Sequence, residues 1–131
     1  MKTQRLAVLM LALALFSPSG TVTANICVDA QLRPLKHFCG IVVDSSGTPI
    51  PNATVLVLKD GIEVAAKSTD VVGEFSFESL ESGKYEFHAG ATGFGKVVFP
   101  FEISKPSAKC KRKVKIQMAV GGECSHVQLE K

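Results

Sequence analysis

The chain has 131 residues, a formal net charge of +3 and an apolar content of 46%. This length fits a single domain. The modest charge argues against a strongly basic nucleic-acid-binding protein, which concentrates many cations on one surface. Disorder is also disfavoured, because disordered chains combine low hydrophobicity with high net charge. We therefore expect one small globular domain with no nucleic-acid partner.

Residues 1–24 have the layout of a secretory signal peptide. Two cations, Lys2 and Arg5, precede an unbroken apolar run at 6–16, and a turn-rich segment follows it. A transmembrane anchor is the alternative, but about 20 helical residues are needed to cross a bilayer. We therefore expect cleavage after this segment and secretion of residues 25–131 as one domain. The protein would be extracellular, or periplasmic if the source is bacterial, with no membrane span after cleavage.

Four cysteines fall in the expected mature part of the chain. An even count in a small exported domain predicts two disulfides, and three pairings are possible. A zinc site is the alternative, because His37 and His126 each lie two residues from a cysteine and two Cys with two His can hold the metal. Their spacing is not that of a zinc finger, so disulfides are favoured and no metal or cofactor is expected. The cysteines are Cys27, Cys39, Cys110 and Cys124.

Short strands separated by turn residues follow one another along the mature chain. This spacing is typical of an all-β sandwich or barrel, and no window shows a sustained helical period. Asp60-Gly61 is the strongest hairpin signal. Pro100 lacks a ladder donor, which places its strand at a sheet edge or a bulge. Seven strands are expected, at 40–44, 53–59, 62–68, 74–78, around Tyr85 and Phe87, at 97–103 and at about 110–119.

Two turn motifs, each built on an aspartate and a glycine and flanked by alternating apolar residues, occur in the mature chain. The first is Gly40-x-Val42-x-Asp44-x-x-Gly47-x-Pro49-Ile50-x-x-Ala53-x-Val55-x-Val57. The second is Thr69-Asp70-x-x-Gly73-x-Phe75-x-Phe77-x-x-Leu80-x-x-Gly83-x-Tyr85-x-Phe87. Together they resemble the carboxypeptidase regulatory-like domain family over about residues 39–119.

The resemblance implies a seven-stranded Greek-key β-sandwich, transthyretin-like, which belongs to the carbohydrate-binding-like folds. Asp44 and Asp70 would cap turns with their carboxylates, and Gly47 and Gly73 would take positive φ angles. The residues that would form most of the two inner faces are Val42, Ala53, Val55, Val57, Phe75, Phe77, Leu80, Tyr85 and Phe87.

The same resemblance favours one disulfide pairing. In this fold the first and last strands are expected to lie side by side and to run parallel, which would bring Cys39 and Cys110 together at the strand starts. Cys27 would then pair with Cys124 and tie the termini. The local pairing, Cys27 with Cys39 and Cys110 with Cys124, stays open as the alternative.

No catalytic constellation stands out in the sequence. There is no His-x-x-Glu zinc motif and no Gly-x-Ser-x-Gly nucleophile elbow. The ending at 126–131 also lacks the Tyr-Arg-Gly-Ser type of terminus carried by the transthyretin-like hydroxyisourate hydrolases. The regulatory-like domain is itself non-catalytic. We therefore expect no enzyme, but an exported monomer with a binding or structural role at the cell envelope or outside the cell, and an unidentified protein or glycan partner.

Surface residues indicate what such a protein would bind. Six cations within a short segment would suit an anionic glycan, a membrane surface or an acidic partner. Lysines also keep an exposed strand soluble, and that role is favoured. The alternative function is a carbohydrate-binding accessory protein, with Phe38 and Phe94 as candidate exposed aromatics. Asn52-Ala53-Thr54 is an N-glycosylation motif for a eukaryotic secretory pathway. The cations are Lys105, Lys109, Lys111, Arg112, Lys113 and Lys115.

Overall fold

A computed structural model describes residues 34–120 and 125–130. The predicted signal peptide, and the predicted pair Cys27 and Cys124, lie outside the described residues. No helix within the described ranges has the length and apolar character of a membrane span. The described residues form eight strands: β1 Phe38–Val43, β2 Thr54–Lys59, β3 Ile62–Ser68, β4 Glu74–Phe77, β5 Gly83–Gly90, β6 Val97–Ile103, β7 Val114–Gln117 and β8 His126–Leu129.

Two four-stranded sheets pack face to face. The first has the order β4-β1-β7-β8 and the second the order β3-β2-β5-β6. β1 runs parallel to β7, with Gly40 opposite Val114, whereas the other named strand pairs are antiparallel. The all-β sandwich is confirmed, and so is the parallel pairing of the first strand with the strand that contains residues 114–117.

The described residues form eight strands, whereas the sequence predicts seven. The sequence pattern does not predict β8, because an alternation of only four residues cannot be distinguished from a tail. Val127 is nevertheless 4% exposed, while His126 and Gln128 on either side of it are exposed. The strand expected at about 110–119 is also shorter, since only Val114–Gln117 forms β7. The cations just before residue 113 therefore lie in a connection rather than on a strand.

Phenylalanine rings fill the space between the sheets. Phe38 stacks on Phe101 with ring centroids 4.0 Å apart and meets Phe87 edge-on at 5.0 Å. Phe38 is fully buried, so its interpretation as an exposed aromatic is wrong. It starts β1, where alternation turns every second side chain inward. The predicted inner-face residues are buried, except that Leu80 is half-buried against the core.

Two aspartate carboxylates close turns beside the first sheet. Oδ1 of Asp44 accepts hydrogen bonds from the Ser46 hydroxyl at 2.7 Å and from the Thr48 N–H at 2.9 Å. Oδ1 of Asp70 accepts the Glu74 N–H at 2.9 Å in the same way. The hydroxyl bond, followed by the Thr48 bond, holds the pKa of Asp44 below its ordinary value. Both aspartates cap turns, as predicted.

Backbone angles confirm the predicted turn positions. Asp60 and Gly61 connect β2 to β3 with φ angles of 52° and 76°, the positive pair that a type I′ hairpin turn requires. Gly47 and Gly73 have φ angles of 86° and 75°. A Cβ at Gly73 would lie 2.6 Å from a carbonyl oxygen of β1, so only glycine fits there without movement. Pro100 lies on β6, which is an edge strand of the second sheet.

Candidate functional site

A disulfide joins Cys39 of β1 to Cys110 in the segment that leads into β7. Their Cα atoms are 6.0 Å apart, and 71 positions separate them in the sequence. The pairing favoured by the family resemblance is confirmed, and the local alternative is wrong. Because Cys39 is oxidised, the alternative zinc site loses one of its four proposed ligands.

A pocket of about 290 Å³ opens beside this disulfide. Leu35, which is buried, and Leu129, which is half-buried, give it an apolar side. The Arg112 carbonyl oxygen lies 3.5 Å from Cys39 Sγ, so one of the residues that line the pocket contacts the disulfide. No acidic side chain is among the lining residues that the structure describes. The cations that line the pocket are Lys36, Lys109, Lys111 and Arg112.

The cations that line the pocket are not paired with acidic side chains in the part of the chain that the structure describes. All four cationic residues are exposed, and none of them takes part in an ion pair within the described ranges. Like charges that converge on one concavity raise its positive potential and concentrate anions there. Such an arrangement can attract a small anionic group.

Three of the six predicted cations lie away from the pocket. Lys113 donates to Glu74 Oε1 at 2.5 Å, and this hydrogen-bonded ion pair raises the pKa of Lys113. Lys115 lies on β7, and Lys105 lies in the connection after β6. Lys36 takes their place in the pocket lining. Lys36 is far from the cationic run in the sequence and is brought next to it only by the fold, so the sequence pattern does not identify it.

A buried histidine separates this pocket from a second, smaller one. His37 is 8% exposed and lines both pockets. Its Nδ1 lies 3.0 Å from the Ser107 carbonyl oxygen, and its Nε2 lies 2.7 Å from Ser76 Oγ. A carbonyl oxygen only accepts hydrogen bonds, so Nδ1 carries the ring proton and Nε2 of the neutral ring accepts the serine hydroxyl hydrogen. The sequence gives no signal of this pair, whose members are 39 positions apart.

The predicted aromatic residues do not form a platform for sugars. Phe38 is in the core, and Phe94 is half-buried and packs against the core.

Two further residues singled out by the sequence lie elsewhere on the surface. His88 on β5 pairs with Glu86, two residues away on the same face of the strand. Asn52 is exposed in a turn, so the asparagine of the predicted glycosylation motif is accessible.

Two solved structures share the fold of the described domain. The 5-hydroxyisourate hydrolase of Klebsiella pneumoniae aligns with a TM-score of 0.57 and 22% identity, over 72% of this chain and 99% of that one. Sea bream transthyretin, solved in complex with thyroxine, aligns with a TM-score of 0.51 and 17% identity, over 71% of this chain and 93% of that one. The fold is therefore a transthyretin-like β-sandwich.

Sequence comparison identifies the family within this fold. The model of the carboxypeptidase regulatory-like domain matches residues 38–118, which is more than half of the chain. The protein belongs to the carboxypeptidase regulatory-like domain family, as the resemblance predicted. No protein of curated function matches the sequence.

The comparison corrects the expectation that this protein is not an enzyme. That expectation rested partly on the non-catalytic character of related domains. The hydrolase from Klebsiella pneumoniae carries the same sandwich along 99% of its length, so the inference from the fold to a lack of catalysis is wrong. At 22% identity the likeness establishes the fold alone and assigns no reaction to this chain.

Proposed function

We propose that this protein is an exported binding module that takes an acidic oligosaccharide, sulfated or carboxylated, at the pocket beside Cys39 and Cys110. The observation that carries the proposal is the convergence of four cations that form no ion pair on a concavity of about 290 Å³, with no acidic side chain among the described residues that line it. The disulfide supports export, because such bonds persist mainly in oxidising compartments. The apolar run at 6–16 supports the same route.

The position of the cations favours binding over a role in strand solubility. Lysines that protect an exposed strand have to lie on that strand. Lys109, Lys111 and Arg112 precede the first residue of β7, and Lys36 precedes β1. These four residues have in common that they line the same pocket. Lys115 is the one of the six predicted cations that lies on a strand, β7, and that strand is paired on both sides.

The lining of the pocket matches the chemistry of a charged sugar unit. The planar guanidinium of Arg112 can bind two oxygens of a sulfate or carboxylate at once, and the lysine ammonium groups add point charges. Leu35 and Leu129 offer apolar contact to the C–H face of a ring. The volume is near the lower end of the range for small-molecule sites, which fits one or two sugar units rather than a flat surface.

Titration calorimetry with sulfated, carboxylated and neutral oligosaccharides tests this function. We expect the acidic sugars alone to bind, with an affinity that falls as salt is added. Arg112→Gln should weaken binding about tenfold or more, which corresponds to about 1.4 kcal/mol. Lys115→Gln removes the same charge away from the pocket and serves as the matched control. Equal losses in the two variants, or no binding by the native protein, would overturn the proposal.

A further inference from the structure

We propose that Ser76 is a nucleophile activated by His37, and that it accepts the acyl group of a small ester. Nucleophile sites of this kind combine a hydroxyl, a base within hydrogen-bond reach and a third group that orients the base. Here Ser76 Oγ lies 2.7 Å from Nε2, and the Ser107 carbonyl oxygen lies 3.0 Å from Nδ1. The ring is therefore held with its unprotonated nitrogen towards the hydroxyl.

The surroundings of the pair suit acyl transfer. Ser76 is half-buried on β4 between the core residues Phe75 and Phe77, so its hydroxyl lies on the face of the first sheet that points away from the core. A pocket of about 150 Å³ beside His37 is lined in part by Phe77 and Leu80. Ser76 does not line this pocket itself, but His37 does and bonds to the Ser76 hydroxyl, so the pocket is where a short acyl chain would lie. The Lys67 ammonium donates to the Ser76 carbonyl oxygen at 2.6 Å, which holds a cation beside the reacting residue.

The proposed reaction balances with an ester and water. Ser76 Oγ bonds to the ester carbonyl carbon as its proton moves to His37 Nε2, and the carbonyl oxygen takes up the negative charge of the tetrahedral intermediate. The ester C–O bond then breaks, and the leaving alcohol takes the proton from the imidazolium. Water hydrolyses the acyl-serine by the same transfers in reverse order and restores both side chains.

Covalent labelling of the purified protein with a fluorophosphonate tests this inference. The probe forms a P–O bond to an activated serine and loses fluoride, so intact mass and peptide mapping locate the adduct. We expect a single adduct at Ser76, absent in Ser76→Ala. Ser79→Ala is the matched control, because Ser79 is exposed and lines the same pocket but forms no hydrogen bond to a histidine within the described residues.

A second variant separates activation from structure. His37→Asn keeps a side-chain donor for the Ser107 carbonyl but removes the base, so this variant should slow labelling about 100-fold or more. Thermal unfolding of each variant establishes whether it folds, and the adduct on the native protein does not depend on any variant. No adduct at Ser76, or equal labelling of Ser79, would overturn the inference. Binding of acidic sugars by Ser76→Ala should be unchanged, which keeps this test independent of the proposed function.

Discussion

Cys39 and Cys110 are joined covalently where the chain enters the paired strands β1 and β7, with Cα atoms 6.0 Å apart. The bond fixes the segment 109–112 against β1, and three of the four cations of the pocket lie in that segment. The stability of the fold and the arrangement of the pocket are therefore coupled through one covalent link.

Removal of the disulfide should lower both properties. For the double variant Cys39→Ala, Cys110→Ala we expect the free energy of unfolding to fall by about 2–4 kcal/mol, because the long loop is no longer closed in the unfolded chain. Urea denaturation measures this loss. The affinity for acidic sugars should fall as well, because Lys109 and Arg112 are no longer held in place. Unchanged stability and affinity would show that the bond does not organise the pocket.

The turn at Asp44 should make stability depend on acidity. Its folded-state pKa lies below the ordinary value of 3.8, so its contribution is present above that value and is lost as the pH falls through the folded-state pKa. Asp44→Asn should therefore be less stable at neutral pH and should lose less stability than the native protein on acidification. Urea denaturation from about pH 7 to pH 2 measures both effects.

A matched carboxylate provides the control for this experiment. Glu63 is exposed on β3 and does not close a turn. Glu63→Gln removes the same charge and should leave the acid dependence close to that of the native protein. If both variants change the acid profile equally, net charge rather than the turn hydrogen bonds accounts for the effect.

Local patterns in the sequence predict most of the fold. The 60–61 hairpin, the two aspartate turns and the alternating inner-face residues depend on neighbours within a few positions, and each is found where predicted. Phe38 and β8 are missed for the opposite reason. Phe38 is the first residue of its strand, and β8 has only four residues, so neither has enough neighbours in a local pattern to be predicted. Only their burial against the other elements shows that they belong to the fold.

The residues of the candidate site could be predicted only in part from the sequence. Half of the cationic run lines the pocket, but Lys36 joins the lining from the segment before β1, and Lys113 instead forms an ion pair with Glu74. The His37 and Ser76 pair has no sequence spacing that marks it, because β4 and the segment before β1 meet only in the folded domain. Composition predicts the kind of charge, whereas tertiary contacts decide which side chains share a cavity.

Gly40 should tolerate no side chain. A Cβ at this position would lie 2.1 Å from the Val114 carbonyl oxygen and 2.9 Å from Phe75 Cζ, where β1 pairs with β7. Gly40→Ala would force the strands apart, and we expect a loss of about 3 kcal/mol or more. Gly90→Ala is the control, since its Cβ would have no atom within 4 Å. Chemical denaturation compares the two, and similar small effects would contradict the close approach.

Phe38 should be among the costliest side chains to truncate. Its ring lies within 6.3 Å, centroid to centroid, of Phe75, Phe77, Phe87, Phe99 and Phe101, from both sheets. Phe38→Ala removes the ring from the centre of this cluster, and large core truncations of this kind cost about 3–5 kcal/mol.

Phe94 gives the internal comparison for that measurement. It is half-buried and packs against the core from a loop, so Phe94→Ala should cost clearly less than Phe38→Ala in the same urea titration. Phe38→Leu keeps most of the buried apolar volume and should fall between the two. A loss for Phe38→Ala as small as that for Phe94→Ala would mean that the ring is not clamped between the sheets, because an exposed or mobile ring leaves no cavity behind.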